Sequence, residues 1–468
     1  MRGFHSVFLF LLLPVVALAQ PVLNQHPELA RLAAQVSAER ERAIDTRLVG
    51  FGTRHTLSDT TSDSRGIGAA RRWVAAQFAD MARACGGCLV IQTPSETFTG
   101  ARIPKPAAVM DVLAIQRGTS DPDRVIVISA HVDSINGNVV NGQKYADTKG
   151  DAPGANDDAS GVAAVLEAAR ILSARKFPAT IVYAVLTGEE QGLYGGRVLA
   201  DTAVAQGWRV EADLNNDIIG NTHGQSGLID NSHVRIFSEG SRTAESPDQA
   251  RARHNAGGEA DSASRNLARF MQGLADAYMN GFSARLIYRP DRFGRGGDHL
   301  EMLAQGFAAV RISEAAENYT RQHQTVRVEN GIAYGDVLSG VDFDYLAQVT
   351  RLNVITLAAL ALAPAPPTGV TIAGAVTPDT QVSWKESADA PTHRVWWRDT
   401  TLPQWHFNRP ASGNSLTLAG INIDDWFFGV SAIGADGYES PVVYPGASGS
   451  FERMSPVAAP APFIAAPK

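Results

Sequence analysis

Two short, nearly unbroken apolar runs, Arg124 to Ser129 and Ala179 to Leu186, constrain this chain most. A strand that is apolar on both faces must be covered on both faces, as strands in parallel sheets are. Between them lies the Ala-rich segment Ser160 to Leu172, which reads as a helix. Val109 to Ile115, Asp213 to Ile219 and Ala308 to Ile312 repeat the strand style. Helical patterns fall within Pro27 to Leu48, Gly66 to Ala84, Ser262 to Met279 and Tyr345 to Leu362. In the second of these, Ile67, Ala70, Trp73, Val74 and Phe78 recur at helical spacing. This alternation predicts an α/β fold, a mainly parallel mixed sheet flanked by helices. In such sheets, sites lie at the carboxyl ends of the strands.

At 468 residues the chain exceeds one ordinary domain. With 44% apolar and 19% charged residues it can build a large core, which excludes global disorder. A net charge of -7 gives no reason to expect nucleic acid or an anionic membrane as partner. The basic start Met1-Arg2-Gly3, the apolar stretch Phe8 to Leu18 and Ala17-Leu18-Ala19 predict a signal peptide over residues 1–19, cleaved near Ala19. The apolar stretch is short for a membrane span, and no later segment is expected to cross a bilayer. The mature protein is expected to be a soluble monomer, secreted or periplasmic. In that compartment Cys85 and Cys88 are expected to form a local disulfide.

The composition changes at Ala363-Pro364-Ala365-Pro366-Pro367, a stiff linker placed at 363–368 after a first domain of residues 20–362. Short strands separated by turn residues then predict a small β-sandwich over 369–454. That segment resembles a fibronectin type III domain, with Trp384 on an early strand and a late strand ending Ser431-Ala432. Trp384 and Trp426 are expected in its core. The Pro-Ala-rich tail, 455–468, is expected to be disordered.

The chemistry concentrates after the strands. His131 and Asp133 follow the first apolar run; a histidine at a strand end can present a ring nitrogen to a metal while a carboxylate fixes its tautomer. Asp157 lies in Asn156-Asp157-Asp158-Ala159-Ser160-Gly161, leading into a helix. Capping by Asp158 or Ser160 explains one residue there and leaves Asp157 for another role. Glu189 and Glu190 follow the second apolar run, and adjacent carboxylates repel unless a cation neutralises them. One can bind a metal while its neighbour receives a proton from the activated water. A carboxylate-rich set with histidine, gathered at strand ends, suits a water-activating metal centre.

Over residues 110 to 330 these clusters resemble the co-catalytic di-zinc aminopeptidase family of secreted bacterial leucyl aminopeptidase type, and they occur in family order. The resemblance implies two Zn2+ ions. His131 would bind one, oriented by Asp133, and Asp157 would bridge both. Glu190 and His323 would bind the other ion, Asp217 would complete the first, and Glu189 would be general base and acid. Where family members often carry Tyr before the late histidine, this chain has Gln322; Tyr319 is the nearby hydroxyl. Asp298, in a segment similar to the family's Ser-Asp-His, and Phe293 join Tyr319 as substrate-binding candidates; His299 is read as pocket architecture. Ile312 and Phe307 are further candidates for an apolar pocket. The implied substrates are peptides or proteins with a free N-terminus. Relatives of this fold include carboxypeptidases, for which Arg292, Arg295 and Arg311 are available, and glutaminyl cyclases. A non-catalytic scaffold would lack ligands, and here each ligand has a candidate.

Overall fold

The computed structural model describes residues 25–385 and 387–456. The expected signal peptide, and the tail from 457 onward, lie outside the described residues. The helices are α1 (Pro27–Ala33), α2 (Ala38–Val49), α3 (Gly66–Ala84), α4 (Ser160–Leu172), α5 (Glu189–Gly192), α6 (Tyr194–Ala205), α7 (Pro247–Asn255), α8 (Ala263–Tyr278), α9 (His299–Ala304) and α10 (Phe343–Leu362). The strands up to residue 334 are β1 (Leu89–Gln92), β2 (Ser95–Gly100), β3 (Ile103–Met110), β4 (Val112–Gln116), β5 (Asp121–His131), β6 (Val139–Val140), β7 (Gln143–Lys144), β8 (Ala179–Leu186), β9 (Arg209–Asn216), β10 (His233–Phe237), β11 (Ser283–Ile287), β12 (Ala309–Glu314), β13 (Arg327–Glu329) and β14 (Ile332–Tyr334).

Eight of these strands form one mixed sheet in the order β1-β4-β8-β5-β9-β12-β10-β11. The four central strands β8, β5, β9 and β12 are mutually parallel, as are β10 and β11. Alternation explains their wholly apolar sequences. Ile126, Ile128 and Ala130 of β5 enter one core with α4 and α10. Val125 and Val127 enter a second core, on the opposite face, with α6 and α9. β8 divides in the same way, Ile181, Tyr183 and Val185 against Val182, Ala184 and Leu186. Each face therefore has its own hydrophobic cover, as a parallel sheet requires.

The expectation that no segment after the leader is long and apolar enough to span a bilayer is corrected by α10. Its 20 residues have a mean hydropathy of 1.4 in the best window, and 83% of that window is buried inside the protein. It is the central core helix. Phe307 and Ile312 are also core residues, each 1% exposed. Cys85 and Cys88 are joined by a disulfide just after α3.

Beyond α10, strands β15 (Thr368–Ala373), β16 (Thr380–Lys385), β17 (Thr392–Asp399), β18 (Phe407–Ala411), β19 (Ser415–Leu418) and β20 (Trp426–Ile433) form two antiparallel sheets, β15-β16-β19 and β18-β17-β20. Val382 and Trp384 of one and Val395, Phe428 and Val430 of the other are buried in a common cluster. Trp384, Trp396, Trp397 and Trp405 are all buried, so they form no exposed aromatic platform. This unit is clamped to the rest of the chain. Arg398 donates to both carboxylate oxygens of Asp261, which also accepts from Arg269, and Trp405 Nε1 donates to Asn266.

Candidate metal centre

Four neighbouring strands release the site at one edge of the sheet. His131 ends β5, Glu189 and Glu190 follow β8, Asp217 follows β9, and the loop after β12 runs to His323. Asp157 arrives from the loop before α4. Gly154 opens that loop with φ of +53°; a Cβ there would meet Asp157 O and Ser134 Cβ at 2.6 Å. Asp158 takes the capping role. Its carboxylate accepts from the Gly161 amide at 3.0 Å, and also from the main-chain amides of His131 and Ile218. Asp158 thus ties three site loops together and leaves Asp157 free.

Two clusters of ligand atoms result, His131–Asp157–Asp217 and Asp157–Glu190–His323, each with its atoms within 4.8 Å of one another. Asp157 belongs to both, with Oδ1 3.1 Å from His131 Nε2 and Oδ2 3.0 Å from His323 Nε2. His323 Nε2 is also 3.0 Å from Glu190 Oε1, and Asp217 Oδ1 stands 3.9 Å from His131 Nε2. Neighbouring ligands on a tetrahedral zinc at its usual bond lengths lie about 3.3 Å apart, so these spacings fit. His131 Nε2 and Glu190 Oε1 are buried and face only other candidate ligand atoms, as expected of atoms aimed at an ion. The crowd of carboxylates at Asp133, Asp157, Asp158, Asp217, Glu189 and Glu190 asks for cations in the same place.

Asp133 stands beside the His131 ring, where an orienting carboxylate is expected, and does more besides. His131 Nδ1 lies 3.1 Å from the Asp133 main-chain carbonyl and 3.5 Å from its Oδ1. Donation from Nδ1 leaves Nε2 as the acceptor for a metal. The carboxylate of Asp133 is used mainly to accept the main-chain amides of Glu189 and Glu190, at 3.3 and 3.2 Å, and the Thr56 hydroxyl. It therefore positions the general-base candidate and one ligand. Burial pushes the Glu189 carboxyl well above its ordinary range; Asp217 and Glu190 push the same way, against His131. Burial lowers His323, yet Glu190 and Asp157 hold it up at about 9, a proton that a bound cation would replace.

The substrate-side candidates lie at different depths. Asp298 is 2% exposed, accepts from the Gly196 amide at 2.9 Å at the start of α6, and is near enough to His131, Asp133 and Asp217 to feel their charges. Phe293 is 88% exposed on the loop after β11. Tyr319 is half exposed and borders a pocket of about 440 Å³ with Leu228, Ala315, Ala316 and the ion-paired Arg235 and Glu317. His299 is buried, with Nε2 2.8 Å from the Pro290 carbonyl, and is not among the ligand atoms. The arginines available for a substrate carboxylate are already paired: Arg311 with Asp217, Arg292 with Asp291, and Arg295 with Glu317 and Gln322.

Several site residues have no sequence signal. Tyr145, at φ of +65°, sets its ring edge-on to His323 with centroids 5.6 Å apart. Arg102 donates to the Glu190 carbonyl at 2.7 Å and lies over the Tyr145 ring. Asp336 accepts the main-chain amides of Asn156 and Asp157 at 2.8 and 2.7 Å. Each acts through main-chain groups or ring packing, which leave no pattern in a sequence.

The sheet, its covering helices and the gathered ligands define a metallopeptidase with a zinc exopeptidase-like fold. The chain belongs to Peptidase family M28, whose pattern matches residues 111–329. It is 41% identical over 424 residues to a probable zinc metalloprotease of the fungus Pyrenophora tritici-repentis, covering 89% of this chain and 86% of that protein. It is 40% identical over 435 residues to a probable zinc metalloprotease of Leptosphaeria maculans, covering 92% and 99%. Both of these relatives are fungal. In fold the chain is similar to LapB from Legionella pneumophila, with TM-score 0.52, 18% identity, and 74% and 77% of the two chains covered. It is likewise similar to the LapA aminopeptidase of that organism, with TM-score 0.51, 18% identity, and 72% and 75% covered.

Proposed function

We propose that this metallopeptidase is a secreted aminopeptidase that binds two zinc ions and removes N-terminal residues from peptides. The observation that carries the reading is Asp157, whose two oxygens face two separate histidine-containing clusters. His131, Asp157 and Asp217 would hold one ion, and Asp157, Glu190 and His323 the other. Bound zinc lowers the pKa of water and polarises a carbonyl.

The chain's own residues supply the rest. Asp133 fixes the Glu189 main chain, and the Glu189 carboxylate is near enough to His131, Asp217 and Glu190 to feel their charges. Glu189 accepts the proton from the attacking water and returns it to the leaving amine. A free substrate amine is drawn to the carboxylates of the cluster, which favours an N-terminal residue. The alternative of a carboxypeptidase is disfavoured because Arg292, Arg295 and Arg311 are each paired with an internal carboxylate. The C-terminal unit is read as fibronectin type III-like, serving as a fixed buttress in a monomeric enzyme.

The test is a peptide with leucine first, incubated with the zinc-loaded protein and weighed by mass spectrometry beside its N-acetylated form. Stepwise loss from the free N-terminus, with the acetylated peptide untouched, is expected. Shortening from the C-terminus would replace this reading with a carboxypeptidase. Loss of ammonia from an N-terminal glutamine peptide, without shortening, would replace it with a cyclase.

A further inference from the structure

The segment Arg54-His55-Thr56 contacts the loops of His131 and Asp157 directly and, through Asp133, the loop of Glu190. Arg54 is fully buried. Its Nε donates to the Val132 carbonyl at 2.6 Å, Nη1 to Pro153 at 2.6 Å and Leu48 at 3.2 Å, and Nη2 to Gly154 at 2.9 Å. Val132 sits between His131 and Asp133, and Gly154 leads into Asp157. One guanidinium therefore spans the loops of a terminal ligand and of the shared ligand. Thr56 Oγ1 donates to Asp133 at 3.0 Å, the carboxylate that holds the Glu189 and Glu190 amides. His55 Nε2 lies 3.1 Å from the Tyr145 carbonyl and places that ring beside His323.

We infer that Arg54 is a positioning residue for the metal pair, fixing the distance between His131 and Asp157, with Thr56 extending the brace to Glu190. The inference rests on the reading of the two clusters as a metal centre. The planar fork matters because its donors diverge at fixed angles to separate carbonyls. A lysine ammonium offers donors from one point and cannot span the two loops. Arg54 donates no hydrogen bond to a candidate ligand side chain; its charge also acts on Asp133 and Asp158, and Arg54→Lys keeps that charge while removing the fork.

The experiment measures zinc dissociation constants by chelator competition, together with metal-free melting temperature, for the full chain, Arg54→Lys and Thr56→Val. Supports that orient ligands typically change metal affinity by about 10- to 100-fold. The expected result is zinc binding weakened about tenfold or more in folded Arg54→Lys, and a smaller loss in Thr56→Val. If Arg54→Lys does not fold, Thr56→Val carries the test. A lowered melting temperature with unchanged zinc affinity in the folded variants would make the segment merely structural and overturn the inference. A wild-type chain that binds no zinc would instead overturn the metal-centre reading itself.

Discussion

Arg311 Nη1 lies 2.6 Å from Oδ2 of Asp217, and both side chains are nearly inaccessible to solvent. This pairing leaves Oδ1 of Asp217 to face His131, so the arginine decides which oxygen is offered to an ion. Arg311 comes from β12, next to β9, so the sheet register itself sets the contact. Replacing Arg311 with Met removes the nearer of the two cations that Asp217 and Asp291 face, leaving Arg292 alone beside both. Breaking a buried pair from one side costs about 3–5 kcal/mol. A loss of that size is expected in chemical denaturation, and a loss below about 1 kcal/mol would show that the pair is not structurally important.

Glu189→Gln separates proton transfer from metal binding. Glu189 lies outside both ligand clusters. The variant should keep its zinc and lose turnover by roughly 100- to 10,000-fold, the range of general acid–base contributions. Metal content is read by elemental analysis and turnover by leucyl anilide hydrolysis. Full activity, with wild-type contamination excluded, would remove Glu189 from the mechanism.

Glu41 predicts a pH dependence of stability. It is buried under α10, accepts a hydrogen bond from Thr350, and burial raises its pKa from 4.5 to about 8. The folded state therefore holds the proton more tightly than the unfolded state. Its contribution is fully present below pH 4.5 and is lost as pH rises through about 8. Glu41→Gln should melt at a similar temperature to wild type near pH 5 and distinctly higher near pH 8.5, by up to several kcal/mol of stability. Parallel melting curves across that range would exclude an ionising Glu41.

Asp261 predicts the behaviour of the C-terminal unit. The carboxylate holds Arg398 from β17 and Arg269 from α8, all three buried. Asp261→Ala strands two guanidiniums and should destabilise the whole chain by about 3–5 kcal/mol. A single cooperative unfolding transition is expected to persist at lower denaturant. Separate unfolding of the two parts in wild type would contradict the clamp.

Much of the architecture was legible because the strongest segments are locally consistent. Gly66–Ala84, Ser160–Leu172 and Ala179–Leu186 form the expected elements with matching ends. Val109 to Ile115, expected as one strand, breaks at Asp111, whose buried carboxylate accepts the Thr187 amide. That partner lies far along the chain, so no local pattern announces it. Strand β10 and its neighbour at the sheet edge, β11, were missed for a related reason: both are only partly buried and lack the continuous apolar run of the central strands. Site residues were legible where strand ends release histidine or carboxylate. Arg54 and Tyr145 were not, because a guanidinium on carbonyls and a ring held by backbone at positive φ follow from tertiary packing alone.

The central claim is that two zinc ions share Asp157. The most direct measurement is zinc bound per chain after equilibrium dialysis, for wild type and for Asp157→Ala. The account predicts two zinc ions in wild type and a loss of affinity at both positions in the variant, since both clusters use this carboxylate. One zinc per wild-type chain, or a variant that loses only one of two, would contradict it.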